Sequence, residues 1–206
     1  MPTFEERLQS HLDARTDTLG KIKARSVDAD MLTLTALNVL VYAQLEGGIK
    51  DLASCVLRDI NYRRPPLGDI RPAIIRWRNP DEIERFKSTI SFEMIANHEP
   101  FANLLQRRFT LRGINRKSEL NQMGWDAIKR VYIGLGLDYS SIQKSRTRID
   151  EIVIDRNQAA HHGILPQTAL DIMAQHLREN ADAVESILFD FCLQLIPFFT
   201  SGLHLR

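Results

Sequence analysis

Arg156, Asn157, His161 and His162 bring a fixed cation, an amide and two imidazoles close together in the chain. An imidazole, with an unperturbed pKa near ~6.5, serves as either base or acid close to neutrality. A guanidinium stays charged and binds phosphate oxygens in bidentate fashion. Together these groups match what cutting RNA without a metal requires. A base takes the proton of the 2′-hydroxyl, an acid protonates the leaving 5′-oxygen, and a cation stabilises the phosphorane between them. Asn157 would fix the imidazole or bond a phosphate. One helix supplies one working histidine. Two copies facing each other across a twofold axis would supply both the acid and the base, and isologous interfaces are the common kind.

The element that must position these groups is an amphipathic helix. Ile149, Ile152 and Val153 fall at helical spacing, and the stripe extends onto Arg156 and then Ala160. An arginine thus stands where a core residue is expected, although an unpaired buried charge is costly. Asn157 and His161, four residues apart, share an adjacent face. A plainer account fits the same residues. Arg156 pairs with Asp155, Glu151 or another helix, and the histidines sit at a helix C-terminus, where positive charge is favoured. Spacing alone leaves both accounts open. Adjacent helical residues point about 100° apart, so His161 and His162 do not share an ion. No cysteine or carboxylate cluster accompanies them, and the sequence assigns no metal and no other cofactor.

Helical periodicity extends over most of the chain. It predicts helices over 3–23, 28–61, 81–97, 99–109, 119–135, 140–162 and 168–199, with 62–80 as a proline-rich break around Pro65, Pro66, Pro72 and Pro80. Residues 31–45 are apolar on almost every side and are expected at the centre of a bundle. In the final helix, Leu177, Ala181, Val184, Leu188, Phe191 and Leu195 alternate in steps of four and three, which marks a packing seam, internal or intersubunit. Gly134-Leu135-Gly136 is expected to end one helix, and Gly163 with Pro166 to make the turn after another. The fold class is all-α: one domain over 1–206, with 62–117 as a variable insertion.

Composition narrows the class further. Twenty-seven basic residues against 26 acidic leave a formal charge of +1, so any case for nucleic acid rests on local clusters. Two such clusters occur. Arg58, Arg63, Arg64, Arg71, Arg76 and Arg78 surround the proline-rich break with Trp77 among them; Arg107, Arg108, Arg112, Arg116 and Lys117 surround Phe109. Arginines interleaved with aromatics suit phosphate contact and base stacking, and a solvated surface or salt-bridge network is the competing account. Cys55 and Cys192 lie in apolar helical patterns and read as reduced core thiols. The charged N-terminus carries no apolar signal core, and no apolar run approaches the length of a membrane span, so a cytoplasmic protein without membrane contact is expected.

Arg156-Asn157-Gln158-Ala159-Ala160-His161 resembles the R-x4-6-H motif of the HEPN superfamily (higher eukaryotes and prokaryotes nucleotide-binding domain). Two flanking segments sharpen the resemblance. Tyr42-Ala43-Gln44-Leu45-Glu46-Gly47-Gly48-Ile49-Lys50 is similar to the "YAxxEGxxK" helix of the RiboL-PSP and MAE-type branch. Leu135-Gly136-Leu137 and the run from Ile149 through Val153 to Arg156-Asn157 are similar to that branch's "lGl" and "idxLvxxRNxiAHG" lead-in. The likeness covers about 31–61 and 124–163, with the final helix more loosely, and leaves 62–117 unmatched.

The resemblance implies a bundle of long antiparallel helices with a central insertion, paired as a homodimer with both motifs at the interface. It implies a metal-independent endoribonuclease acting as a toxin or phage-defence effector, with RNA as substrate and an antitoxin protein as a possible partner. The alternative is a non-catalytic module that binds RNA, nucleotide or a partner protein. Carried over, Arg156 and His161 are catalytic with Asn157 beside them, and Glu46 and His162 are supporting residues. Lys50, Arg107, Arg108 and Arg112 are the expected RNA contacts. Glu46 has two accounts: an ion pair with Lys50 at a spacing of four, or a carboxylate that holds Arg156. Two departures from the family pattern stand out. His162 occupies the place of the glycine that usually follows the histidine, and Gly163 stands where a related group carries a modifiable tyrosine. His161 is preferred over His162 as the base because it shares a face with Asn157.

Overall fold

The computed structural model describes residues 2–81, 106, 108, 110–112, 123–163 and 169–202. Among them the regular structure is helical: α1 (Phe4–Arg25), α2 (Met31–Arg63), α3 (Pro72–Arg78), α4 (Trp125–Leu135), α5 (Arg146–His162) and α6 (Leu170–Thr200). Short 3-10 turns occur at Leu67–Asp69 and Ser140–Ser145. Of the expected helices over 81–97 and 99–109 only residues 81, 106 and 108 are described, and most of the connector at 112–117 and residues 119–122 of the next expected helix lie outside the described residues.

Local chemistry sets the helix ends. Thr3 and Glu6 form a reciprocal capping box: the Glu6 N–H donates to Thr3 Oγ1 at 3.1 Å and the Thr3 N–H donates to Glu6 Oε2 at 2.6 Å. Asp30 caps α2 by accepting from the Thr33 N–H at 2.7 Å. Gly136 ends α4 and Gly163 ends α5, both in the left-handed region (φ 75° and 73°), as the glycines in the sequence lead one to expect. The proline-rich break is not wholly irregular. Pro72 sits at the first turn of α3, where its missing N–H costs nothing, and the short helix runs from there to Arg78.

α2 is the axis of the bundle and packs against α1, α5 and α6. Arg7 meets Asp59 and Arg15 meets Asp51, so α1 runs antiparallel to α2. Lys23 meets Glu185 and Phe4 stacks on Phe199, so α1 also runs antiparallel to α6. α2 and α6 therefore run side by side in the same direction. Their approach is close because Gly48 has no side chain: a Cβ there would stand 2.6 Å from Leu188 Cδ2. α3 lies against α4, where Trp77 covers Gly134.

The seam of α6 proves to be internal. Leu177, Ala181, Val184, Leu188, Phe191 and Leu195 are all buried within one chain. The stripe Leu45, Ile49, Leu52, Val56 and Ile60 of α2 is buried as well. Each such leucine or isoleucine removed from water contributes about 1.5–3 kcal/mol. The N-terminal half of α2 departs from expectation. Leu34, Leu37, Val41 and Leu45 are buried, but Leu32, Val39 and Leu40 are 67, 36 and 46 % exposed, so this half is not covered on every side.

Candidate functional site

The site is assembled by α5 crossing α2. Ile149 and Ile152 bury against the core, and the stripe then passes through Arg156 to Ala159, while Ala160 faces solvent. The inward line therefore turns one residue away from the expected Ala160, because steps of four and three follow a 3.6-residue period more closely than two steps of four. Arg156 is half-buried on that line. Its guanidinium carbon lies 5.2 Å from the centroid of the Tyr42 ring, and its Nη1 donates to Asn157 Oδ1 at 2.9 Å. Among the described residues it meets no carboxylate. Of the plainer account, the pairing of Arg156 with Asp155 or Glu151 is not formed, while its contact with another helix is, through Tyr42 of α2. Asp155 turns to α6, and Glu151 lies against Arg148.

Tyr42 is the residue that sequence reasoning passed over, although it opens the α2 segment that carried the resemblance. It is 3 % exposed, and its hydroxyl accepts from the Met123 N–H at 3.0 Å. Burial holds its phenol pKa above the ordinary value; the Met123 bond and the Arg156 charge oppose this, and Glu46 adds to it. Tyr42 is thus coupled both to Glu46, four residues on along α2, and to Arg156 over its ring. The two accounts of Glu46 are now distinguished: its carboxylate is paired with Lys50, and no bond to Arg156 occurs among the described residues. Lys50, expected to contact RNA, is instead 7 % exposed with its ammonium on Glu46. Its ammonium is therefore not displayed to solvent.

A second group fixes α5 against α6. His176 Nε2 lies 2.9 Å from Asp155 Oδ2, and its Nδ1 lies 3.1 Å from Arg148 Nη1. Arginine can only donate, so Nδ1 accepts and the ring hydrogen sits on Nε2, donating to Asp155. The buried Asn180 side chain also donates to Asp155 at 3.3 Å. This clamp acts one residue before Arg156. Nothing in the local sequence marked it, because its bonded pairs are 21 to 28 residues apart on two helices.

His161 lies in the last turn of α5 and is exposed; its ring has no hydrogen-bond partner among the described residues. The His162 side chain and Arg107 lie outside the described residues. Arg108 is exposed and pairs with Pro66 in an isolated bridge. Arg112 pairs with Asp81 at 3.0 Å, both well exposed. The first basic cluster is divided by the fold. Arg78 is 4 % exposed, donates to the Arg112 carbonyl at 2.8 Å and lies over Trp77. Arg71 turns to the Gly136 carbonyl. Trp77 is partly buried, with its ring against Gly134 of α4 and the Arg78 guanidinium over it.

No group of His, Cys, Asp or Glu suited to holding a metal occurs among the described residues. No helix there is long and apolar enough to cross a membrane. No curated protein and no solved structure gives a significant match. A family model, that of RiboL-PSP-HEPN, matches residues 5–195, a span that takes in α1, α2, α5 and most of α6. With Arg156 set on the α2 tyrosine and His161 following at the end of α5, the chain belongs to the RiboL-PSP-HEPN family.

Proposed function

We propose that this protein is a metal-independent endoribonuclease of the HEPN type, acting as a toxin or phage-defence effector, with an active site shared between two copies. Family membership points to nucleotide- or RNA-related function. The observation that carries the finer reading is Arg156. A half-buried guanidinium held by an aromatic face and an amide, without a carboxylate among the described residues, keeps its full charge for a ligand. A scaffold gains nothing from that arrangement, because a desolvated cation is stabilised far better by a carboxylate. A phosphate supplies the missing anion.

Shared chemistry needs a second copy, and α2 offers a surface for one. Leu32, Ala36, Val39, Leu40 and Ala43 form an exposed, mostly apolar stripe. At about 100° per residue, Val39 and Ala43 stand about 60° and 100° around α2 from Tyr42, directly beside the site. Small residues at positions 36 and 43 permit close helix approach. A copy docked there would bring a second Arg156 and His161 near the first.

In the mechanism, His161 of one copy takes the proton from the 2′-hydroxyl as its oxygen attacks phosphorus. His161 of the other copy donates a proton to the leaving 5′-oxygen as the P–O5′ bond breaks. The products are a 2′,3′-cyclic phosphate and a 5′-hydroxyl. The Arg156 guanidinium bonds the non-bridging oxygens, and Asn157 holds that guanidinium in place. One observation favours the competing reading of a non-catalytic RNA-, nucleotide- or protein-binding module: no described residue orients the His161 ring.

Incubating the protein with total RNA in EDTA, beside Arg156→Ala and His161→Ala, decides between them. The nuclease reading expects cleavage that both substitutions remove. Cleavage that survives both, or RNA binding without product at high protein concentration, overturns it.

A further inference from the structure

The basic cluster around the α2 C-terminus is divided by the fold, and part of it enters a cleft far from Arg156. This cleft, of about 480 Å³, opens between the start of α1 and the end of α2. Arg7, His11, Arg58, Asp59, Tyr62 and Arg63 line it. Tyr62 follows Tyr42 by 20 residues on the same helix, which is about 30 Å along the axis and on nearly the opposite side. The cleft is therefore separate from the Arg156 site.

Its charge is lopsided. Three guanidiniums face the single carboxylate among these residues, which leaves two positive charges (3 − 1) before His11 is considered. That carboxylate, Asp59, is 8 % exposed and holds two of the arginines: Arg7 Nη2 lies 2.6 Å from Oδ1 and Arg63 Nε lies 2.6 Å from Oδ2. Arg63 also lies over the Phe199 ring, 5.4 Å from its centroid. Both guanidiniums are thus fixed before any ligand arrives, which lowers the ordering cost of binding. Arg63 engages Asp59 through Nε, so its Nη groups are not spent on that bond. Arg58 is exposed, and its Nε donates weakly to the Ser54 carbonyl at 3.3 Å. It pairs with no carboxylate among the described residues. Tyr62, one turn beyond Arg58 on the same face, is 78 % exposed.

Preset guanidiniums, one uncommitted arginine and an exposed aromatic ring form a matched set. The first two suit a phosphate dianion, and the third suits a base stacked beside it. We propose that this cleft binds a nucleotide by its terminal monophosphate, with the base on Tyr62 and the phosphate between Arg58 and Arg63. The ligand is either a free mononucleotide or the 5′-phosphorylated end of an RNA. The proposal does not depend on the nuclease reading, because binding is measured and not cleavage.

The test is isothermal titration of the full chain carrying Arg156→Ala, which leaves the cleft untouched and protects RNA ligands. The probes are adenosine 5′-monophosphate, adenosine, and tetra-adenylate with and without a 5′-phosphate. Adenosine 5′-monophosphate is expected to bind with an affinity that falls as salt rises. Adenosine should bind about tenfold more weakly or less, the value of one charged hydrogen bond set. Adding Arg58→Ala or Tyr62→Leu, both at exposed positions, should each weaken monophosphate binding about tenfold without changing the melting temperature. A phosphorylated tetranucleotide that outcompetes the mononucleotide identifies an RNA end as the ligand; the reverse identifies the free nucleotide. Equal affinity for adenosine and its monophosphate, no binding of either at millimolar concentration, or unchanged affinity in both variants overturns the proposal.

Discussion

The Arg156 guanidinium lies over the Tyr42 ring, 5.2 Å from its centroid, and this contact joins the two segments that carry the family pattern. A cation on an aromatic face is held without being neutralised, worth about 0.5–2 kcal/mol depending on desolvation. The Tyr42 hydroxyl is engaged at its other end by the Met123 N–H. The ring is therefore fixed, and so is the height at which Arg156 stands above α2.

Tyr42 should act through its ring more than through its hydroxyl. Tyr42→Phe keeps the face and strands the buried Met123 N–H, costing about 1–3 kcal/mol in urea unfolding while RNA cleavage stays within a few-fold. Tyr42→Leu removes the face, and cleavage should fall about 100-fold at a similar stability cost. Equal cleavage by both variants would show that the ring face does not matter.

Arg156→Lys separates charge from geometry. Lysine keeps the positive charge but loses the planar fork and the stacking on Tyr42. Cleavage should fall about 100-fold with a stability change below about 1 kcal/mol, since the position is half-buried. Retained cleavage would mean that a point charge suffices.

Leu40→Asp places a charge in the exposed stripe of α2 without touching the core. Light scattering should show a monomer with an unchanged circular dichroism spectrum and melting temperature, and cleavage should disappear with the dimer. A mutant that stays dimeric and active would move the interface elsewhere.

Gly48→Ala should destabilise the fold by about 1–3 kcal/mol through overpacking. Its Cβ would stand 2.6 and 2.7 Å from the two δ-carbons of Leu188. Combining it with Leu188→Ala should recover part of that loss, so the double-mutant cycle reads a coupling between α2 and α6.

Stability should decline at alkaline pH. Burial pushes the Cys192 thiol from 9.0 to about 12, and burial beside Asp190 raises the Tyr132 phenol as well. The unfolded chain releases these protons first, so between those values the native state binds more protons. The contribution is complete below about pH 9 and is lost as pH rises toward the native value. Cys192 alone should cost about 1 kcal/mol near pH 10. Denaturation at pH 8 and pH 10 should show the drop, with a shallower slope in Cys192→Ala.

Much of this was legible because it is local. Gly136 and Gly163 act on groups within a few residues of themselves, so those two helix ends could be read directly; the caps at Thr3 and Asp30 are equally local but went unread. The stripe from Ile149 to Arg156 follows from the helical period alone. The error at Ala160 arose where one residue of drift decides which side faces inward.

The sequence by itself determined the long helices α1, α2, α5 and α6, the family pattern and an arginine out of place among apolar residues, but not the short α3 inside the proline-rich break. Only the tertiary structure decided what that arginine meets. The choice between Glu46 and Tyr42 for Arg156 depends on how α5 crosses α2, whereas Lys50–Glu46 and Arg63–Asp59 are pairs four apart on α2 itself, whose burial alone the packing decides. A helical period fixes which way a side chain leaves its own helix; what stands in its path is set by another segment, tens to more than a hundred residues away in the chain.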